Sequence, residues 1–433
     1  MRQGVQAALF RAGRVKLKSN EVPASAIEPP RLRAGLTLLP LDNEMVVFSE
    51  ADQRLVSLNA AAASVFQELQ QGTPVPELPH RLVSMGLVAA DDAPQWVAVA
   101  IDALGAQGLL DGRGPAELPA EISPAENRLV ALRVSKMPPH RPAERAIERR
   151  YRLLETRALI RFDHPAQVRL VDAVLGHLAC DDDFVPTVVI DLQALPSAGG
   201  RHLRSRIYRD GEAINSVPQL SHLAPFVKSA LWQTAVNNHD FQFYIHAGVV
   251  GTGETCILLP AAAGSGKSSL TTALTHSGYR YFSDEVALIN RKTFKVPPMP
   301  LAICIKSTGW DVMSRYYPDL LTLPVHRRDD GKLVRYVPPP VGVTQQRPAS
   351  VSHIVFPRYE AGTATELRPI ERSQALRRLM AECVAARERF SQTNIRELIQ
   401  WMAKIDCYRL TFSSLDEAVA LIKKTAPSIE LAQ

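Results

Sequence analysis

Short runs rich in β-branched and aromatic residues, EMVVFSE (44–50) and RLVSLN (54–59), flank the turn EADQ and predict two strands. Asn59 then reads as the N-cap of a helix, AAAASVFQELQ, whose Val65, Phe66 and Leu69 fall on one face and which Gly72 stops. VPELPHRLVSMG and APQWVAVAIDALGAQG predict two further helices ahead of LLDG. Beyond residue 142 the pattern changes. ERAIERRYRLLETR, of mixed charge, reads as a solvated helix face. ALIRF, TVVIDLQAL and HLRSRIYRDGEAIN read as strands, the last folding back at Asp210–Gly211. VDAVLGHLA and HLAPFVKSALWQTAV are amphipathic, and the alternation predicts a mixed α/β layer.

Prolines set the boundaries. The Pro-rich stretch LPAEISPAENRLVALRVSKMPPHRP separates the two patterns. The expected organisation is an N-terminal arm (1–30), a small domain (31–117), a linker (118–142) and a large domain (143–433).

With 433 residues, 46% of them hydrophobic, the chain can bury two or three ordinary cores. No apolar run approaches the roughly 20 residues that cross a bilayer, so no membrane association is expected. The basic N-terminus lacks the apolar core of a secretory signal. Five cysteines, 180, 256, 304, 383 and 407, are dispersed, which suits a reducing, cytoplasmic setting and neither a disulfide framework nor a zinc knuckle. The net charge of +6 permits acidic partners. Nucleic acid is not expected, because the segment 74–106 carries Arg81 as its lone arginine among several acids.

The chemistry concentrates in LPAAAGSGKSSLTTAL (259–274). A strand, CILLP, feeds a glycine-bearing turn and then a helix, the context a phosphate-binding loop requires. Loop N–H groups and the helix N-terminus converge on phosphate oxygens. Gly264, Ser265, Gly266, Lys267, Ser268 and Ser269 form the nucleotide-binding run, Lys267 lying along the β- and γ-phosphates and Ser268 offering its hydroxyl to Mg²⁺. Ala261 stands where the usual pattern has its first glycine, which is tolerable if that position needs no positive φ. Downstream, GYRYFSDEVALIN ends a strand at Ser283, Asp284 and Glu285. Paired carboxylates there can hold Mg²⁺ and accept a proton. Lys306 on the next apolar strand needs an anionic partner, and Arg315, Arg335 and Arg358 are further candidates for neutralising phosphate charge.

Two resemblances organise these signals. The order IHAGVV, LLPAAAGSGKSSL, GYRYFSDEVALI, PMPLAICIK, SHIVFPRYEAG resembles the HPr kinase/phosphorylase group, relatives of phosphoenolpyruvate carboxykinase, over residues 150 to 425. In that group small residues often replace the first loop glycine. The resemblance implies an α/β P-loop kinase domain using ATP and Mg²⁺. It also implies Asp284 as general base, His246 as the histidine that hydrogen-bonds and orients it, and Glu285 as the second acidic, metal-side position. The glycine-rich segment of true HPr kinases has no counterpart, STGWDVMSRYYPDL standing there, so HPr is not the expected substrate. The hairpin-plus-helices unit, with Leu58, Asn59, Ala62 and Gly108–Leu110, resembles the winged-helix PqqD family, implying that a peptide adds a strand to the hairpin.

The expected function is therefore an ATP-dependent kinase acting on a hydroxyl of a peptide or small protein docked on 31–117, with self-association implied by resemblance alone. The alternatives are a small-molecule kinase with a regulatory N-terminal domain and a non-catalytic nucleotide- or DNA-binding regulator. HRRDD (326–330) looks like a eukaryotic-type kinase catalytic loop, but no D-F-G follows it. Its surroundings, LPVHRRDDGKLVRYVPPP, read as a lid or acceptor-binding loop.

Overall fold

The computed structural model describes residues 30–112, 146–196, 203–344 and 347–427. Most of the N-terminal arm and the linker lie outside the described residues. Backbone contacts divide the described residues into two units, the first gathering 30–112, 371–377 and 390–403, the second the remainder.

In the first unit β1 (Leu36–Leu41), β2 (Glu44–Ser49) and β3 (Arg54–Leu58) form an antiparallel sheet in that order. The patterned hairpin is β2–β3, and β1 is an addition to it. Helices α1 (Ala60–Gln70), α2 (Leu78–Ser84) and α3 (Ala93–Ala106) follow. Asn59 caps α1, its Oδ1 accepting from the Ala62 N–H at 2.9 Å. Val47, Val56 and Leu58 of the sheet pack with Phe66, Leu82, Val97 and Leu104 in one core. Gln53 holds the returning segment at Phe390 through both its amide groups, at 3.0 and 2.7 Å.

The second unit opens with β4 (Ile147–Leu153), β5 (Thr156–Phe162), α4 (Pro165–Leu175), β6 (Val188–Pro196), β7 (Leu203–Arg209) and β8 (Glu212–Val217). The charged stretch expected as a helix face is instead strand β4, paired antiparallel with β5. Its period is 2, with buried Tyr151 and Leu153 alternating with exposed or half-exposed arginines, and Leu154 at φ 52° makes the turn. Asp210 and Gly211, both at positive φ, close the expected β7–β8 hairpin.

Helix α5 (Leu223–Asn238) leads to β9 (Phe241–Ile245), β10 (Ala247–Gly251), β11 (Thr255–Pro260), α6 (Lys267–His276), β12 (Arg280–Ser283), β13 (Ala287–Asn290), β14 (Lys295–Val296) and β15 (Ile303–Lys306). Then come α7 (Trp310–Ser314), β16 (His326–Arg327), β17 (Leu333–Val337), β18 (Ala349–Tyr359), β19 (Glu366–Pro369), α8 (Arg372–Ala381), β20 (Cys383–Ala386), α9 (Gln392–Met402), β21 (Asp406–Phe412) and α10 (Leu415–Thr425).

FQFYIHAGVVG forms two strands. His246 is the break, with β9 paired to β13 and β20 and β10 paired to β11 and β12. The sheet that matters most runs β12-β10-β11-β18-β21-β19. Its β11, β18 and β21 are parallel, so Pro260, Tyr359 and Phe412 end at one edge. That edge is where α/β sheets bind ligands. Among the described residues no helix is long and apolar enough to cross a membrane.

Candidate functional site

The loop after β11 turns through Gly264 (φ 93°) and Gly266 (φ 82°), conformations that favour glycine. Ala261 is absent from the positive-φ residues, so alanine fits where the usual pattern has glycine. A Cβ on Gly266 would stand 2.8 Å from the Phe412 ring, so this glycine also serves close packing. Ala262, Ala263 and Gly264 are exposed at the rim. Ser268 and Ser269 are half-buried on the first turn of α6. Lys267 is buried, and its Nζ donates to the Ala261 carbonyl at 3.1 Å. Gly248 on β10 lets α6 approach, since a Cβ there would meet Thr271 Oγ1 at 2.3 Å and Lys267 Cγ at 3.3 Å.

Opposite stands the acidic pair. Asp284 is 3% exposed. Its two oxygens accept from the Tyr281 hydroxyl and the Cys304 N–H, each at 3.3 Å. Glu285 keeps 26% of its side chain exposed, and its Oε2 accepts from Lys228 Nζ at 3.0 Å. The neighbours push the two carboxyls apart. Burial raises the Asp284 pKa, whereas Lys228 pulls Glu285 down to about 2. Burial opposes the charge on Lys228, yet Glu285, Cys304 and Asp284 hold its pKa above the ordinary value.

His246 sits between the sheets at the break. Its Nδ1 is 3.1 Å from the Glu285 backbone carbonyl. A carbonyl only accepts, so Nδ1 carries a proton. This corrects the contact implied by the family resemblance: the ring holds the backbone beside Glu285, and the Asp284 carboxylate has Tyr281 and Cys304 instead. Burial, then Lys267, lowers the His246 pKa, favouring the neutral ring. Burial likewise pushes Lys267 down to about 8, against the pull of Asp284, Glu285 and Glu382.

The fold thus gathers Lys267, His246, Asp284 and Glu285, with Lys306 acting on both Lys267 and His246. The three arginines are engaged elsewhere. Arg335 donates to the Leu323 carbonyl and lies 4.6 Å from the Trp310 ring. Arg315 pairs with Asp416, and Arg358 with Glu360 at 3.3 Å. Residues the sequence did not single out join the cluster instead. Lys228 comes from α5. Glu382, whose carbonyl accepts the His246 N–H at 2.9 Å, follows α8. Arg328 follows β16, with its Nη1 4.0 Å from Cys304 Sγ, and adds positive field at Glu285. Arg328 belongs to the segment expected as a lid, and an apolar stretch around Lys228 was its only signal in α5.

Hard oxygen donors suit Mg²⁺. The Ser268 hydroxyl and the Glu285 oxygen outside the Lys228 pair fit it better than Asp284, both of whose oxygens already accept hydrogen bonds. Among the described residues no three His, Cys, Asp or Glu cluster to hold a metal ion. Phosphate and water oxygens would complete such a shell, as is usual for this ion. The rimmed loop with its two positive-φ glycines fits a polyphosphate.

No protein-family model matches the chain. No curated protein matches it. A solved structure, TbiB1 in complex with the TbiA(beta) leader peptide, is similar at 17% identity over 19% of this chain and 98% of that one, with a TM-score of 0.18.

Proposed function

We propose that the protein is an ATP-dependent kinase that transfers the γ-phosphoryl group to a hydroxyl, a serine of a peptide or small protein being the favoured acceptor. The observation that carries this reading is the meeting of the loop lysine with the acidic pair, braced by His246 at the Glu285 carbonyl. Mg²⁺ would neutralise phosphate charge during transfer. Lys267 and the loop N–H groups hold the phosphates, and the acidic pair takes the acceptor proton and supplies an oxygen to the ion. The neutral His246 ring adds no further cation to the acidic pair, whose counter-charge is Lys228.

The fold class proposed for the second unit is the P-loop kinase type of the HPr kinase/carboxykinase group, and for the first the winged helix of PqqD-like domains. Strand β3 is an edge of its three-stranded sheet, so an extended peptide can join it through main-chain hydrogen bonds. Holding the acceptor this way raises its effective concentration for transfer.

The test incubates the protein with labelled ATP, Mg²⁺ and a candidate serine peptide, beside Lys267→Ala and Asp284→Asn. Transfer by the wild type that both variants lose supports the reading. Undiminished transfer by both sinks it. Removing residues 1–118 separates the acceptors, because peptide transfer then collapses while transfer to a small molecule persists.

A further inference from the structure

Single exposed apolar side chains are ordinary on a protein surface. Tyr359 differs in where it stands. It is the last residue of β18, at the edge where β11, β18 and β21 end together, and it is 50% exposed. Its backbone N–H donates to the Ser265 carbonyl at 3.0 Å, so it is tied directly to the phosphate loop. Its Cβ lies 3.1 Å from where a Cβ on Gly266 would be, which roots the side chain beside the N-terminus of α6. The ring meets Phe412 edge to face, with centroids 5.7 Å apart and planes at 71°. Phe412 is 1% exposed in the core, so it braces the tyrosine, which stays 50% exposed.

We infer that the Tyr359 ring is the stacking face for the nucleobase of the nucleotide whose phosphates lie in the 261–269 loop. The inference rests on the nucleotide reading above. A base hangs one sugar beyond the α-phosphate, so a flat aromatic surface rooted at the loop is placed to receive it. Stacking reads the π-face that every base has and leaves the base edges unread. The neighbouring Arg358 is turned to Glu360, which leaves it unspent on a base edge. The site therefore takes ATP and GTP alike and prefers both to a bare polyphosphate.

Calorimetric titration with ATP, GTP, UTP and inorganic tripolyphosphate, each with Mg²⁺, tests this on the full chain. Tyr359→Ala should weaken ATP and GTP about tenfold, UTP less, and leave tripolyphosphate unchanged, while Tyr359→Trp should keep or tighten purine binding. Tyr359→Ala that leaves ATP affinity intact overturns the inference. So does equal loss of ATP and tripolyphosphate, which would mean that the loop itself was disturbed. Lys267→Ala provides the separate control. If it changes neither ATP nor tripolyphosphate binding, or the wild type binds neither, the nucleotide reading falls and the stacking role with it.

Discussion

Lys228 Nζ lies 3.0 Å from Glu285 Oε2, with the lysine side chain 5% exposed and its ammonium 5.1 Å from the centre of the Tyr336 ring. The acidic pair thus carries its own counter-charge from α5, besides Lys267 of the 261–269 loop. Two adjacent carboxylates beside one another are costly to ionise together, and a buried cation lowers that cost for one of them.

Breaking this pair should be expensive. Lys228→Met leaves Glu285 charged and half-buried without its partner, and should cost about 3 kcal/mol of stability in urea denaturation. Adding Glu285→Gln to Lys228→Met removes the orphaned charge and should recover most of that loss. Equal stability of the single variant and the wild type would mean that the ion pair does not persist in solution.

The two loop glycines should respond differently to alanine. At Gly266 a methyl would stand 2.8 Å from the Phe412 ring in a backbone at φ 82°, so strain and clash add, and a loss of about 2–3 kcal/mol is expected. At Gly264 nothing lies within 4 Å, so only the backbone penalty of about 1 kcal/mol remains. Thermal melts of the two variants, side by side, check the order.

Gly248→Ala should uncouple folding from binding. The new methyl meets Thr271 Oγ1 and Lys267 Cγ, so α6 must shift away from β10. The expectation is a modest melting decrease with ATP affinity reduced at least about tenfold, because the displaced lysine no longer aligns with the phosphates. An unchanged affinity would show that α6 tolerates the intrusion.

Proton linkage follows from Lys267. In the ligand-free protein burial pushes its amine down to about 8, so the ammonium is present below that pH and lost as pH rises through it. An anionic ligand favours the ammonium, so affinity should fall above about pH 8 and binding there should take up close to one proton, against almost none near pH 7. Titration calorimetry in buffers of different ionisation enthalpy reads the proton count directly. Constant affinity from about pH 7 to 9.5 would show that the lysine keeps its charge throughout.

Much of this arrangement was legible along the chain, for physical reasons. Strand, glycine turn and helix at 255–276 are contiguous, so local pattern sufficed. Asn59 as a cap and Asp210–Gly211 as a turn are equally local signals. The β4 strand was misread because charge count outweighed the period-2 burial of Tyr151 and Leu153. Lys228, Glu382 and Arg328 escaped because their meaning comes from tertiary approach to Glu285, His246 and Cys304, and nothing beside them in sequence marks it. Arg335 failed in the opposite sense: a further candidate for neutralising phosphate charge that the fold spends on Leu323 and Trp310.

The ordinary backbone angle at Ala261 has a wider consequence. Any scan that demands glycine at that place would pass this chain by, although the backbone there needs no positive φ. What the turn requires is achiral freedom at 264 and 266, so its backbone is encoded in a shorter word than the pattern by which such loops are usually sought.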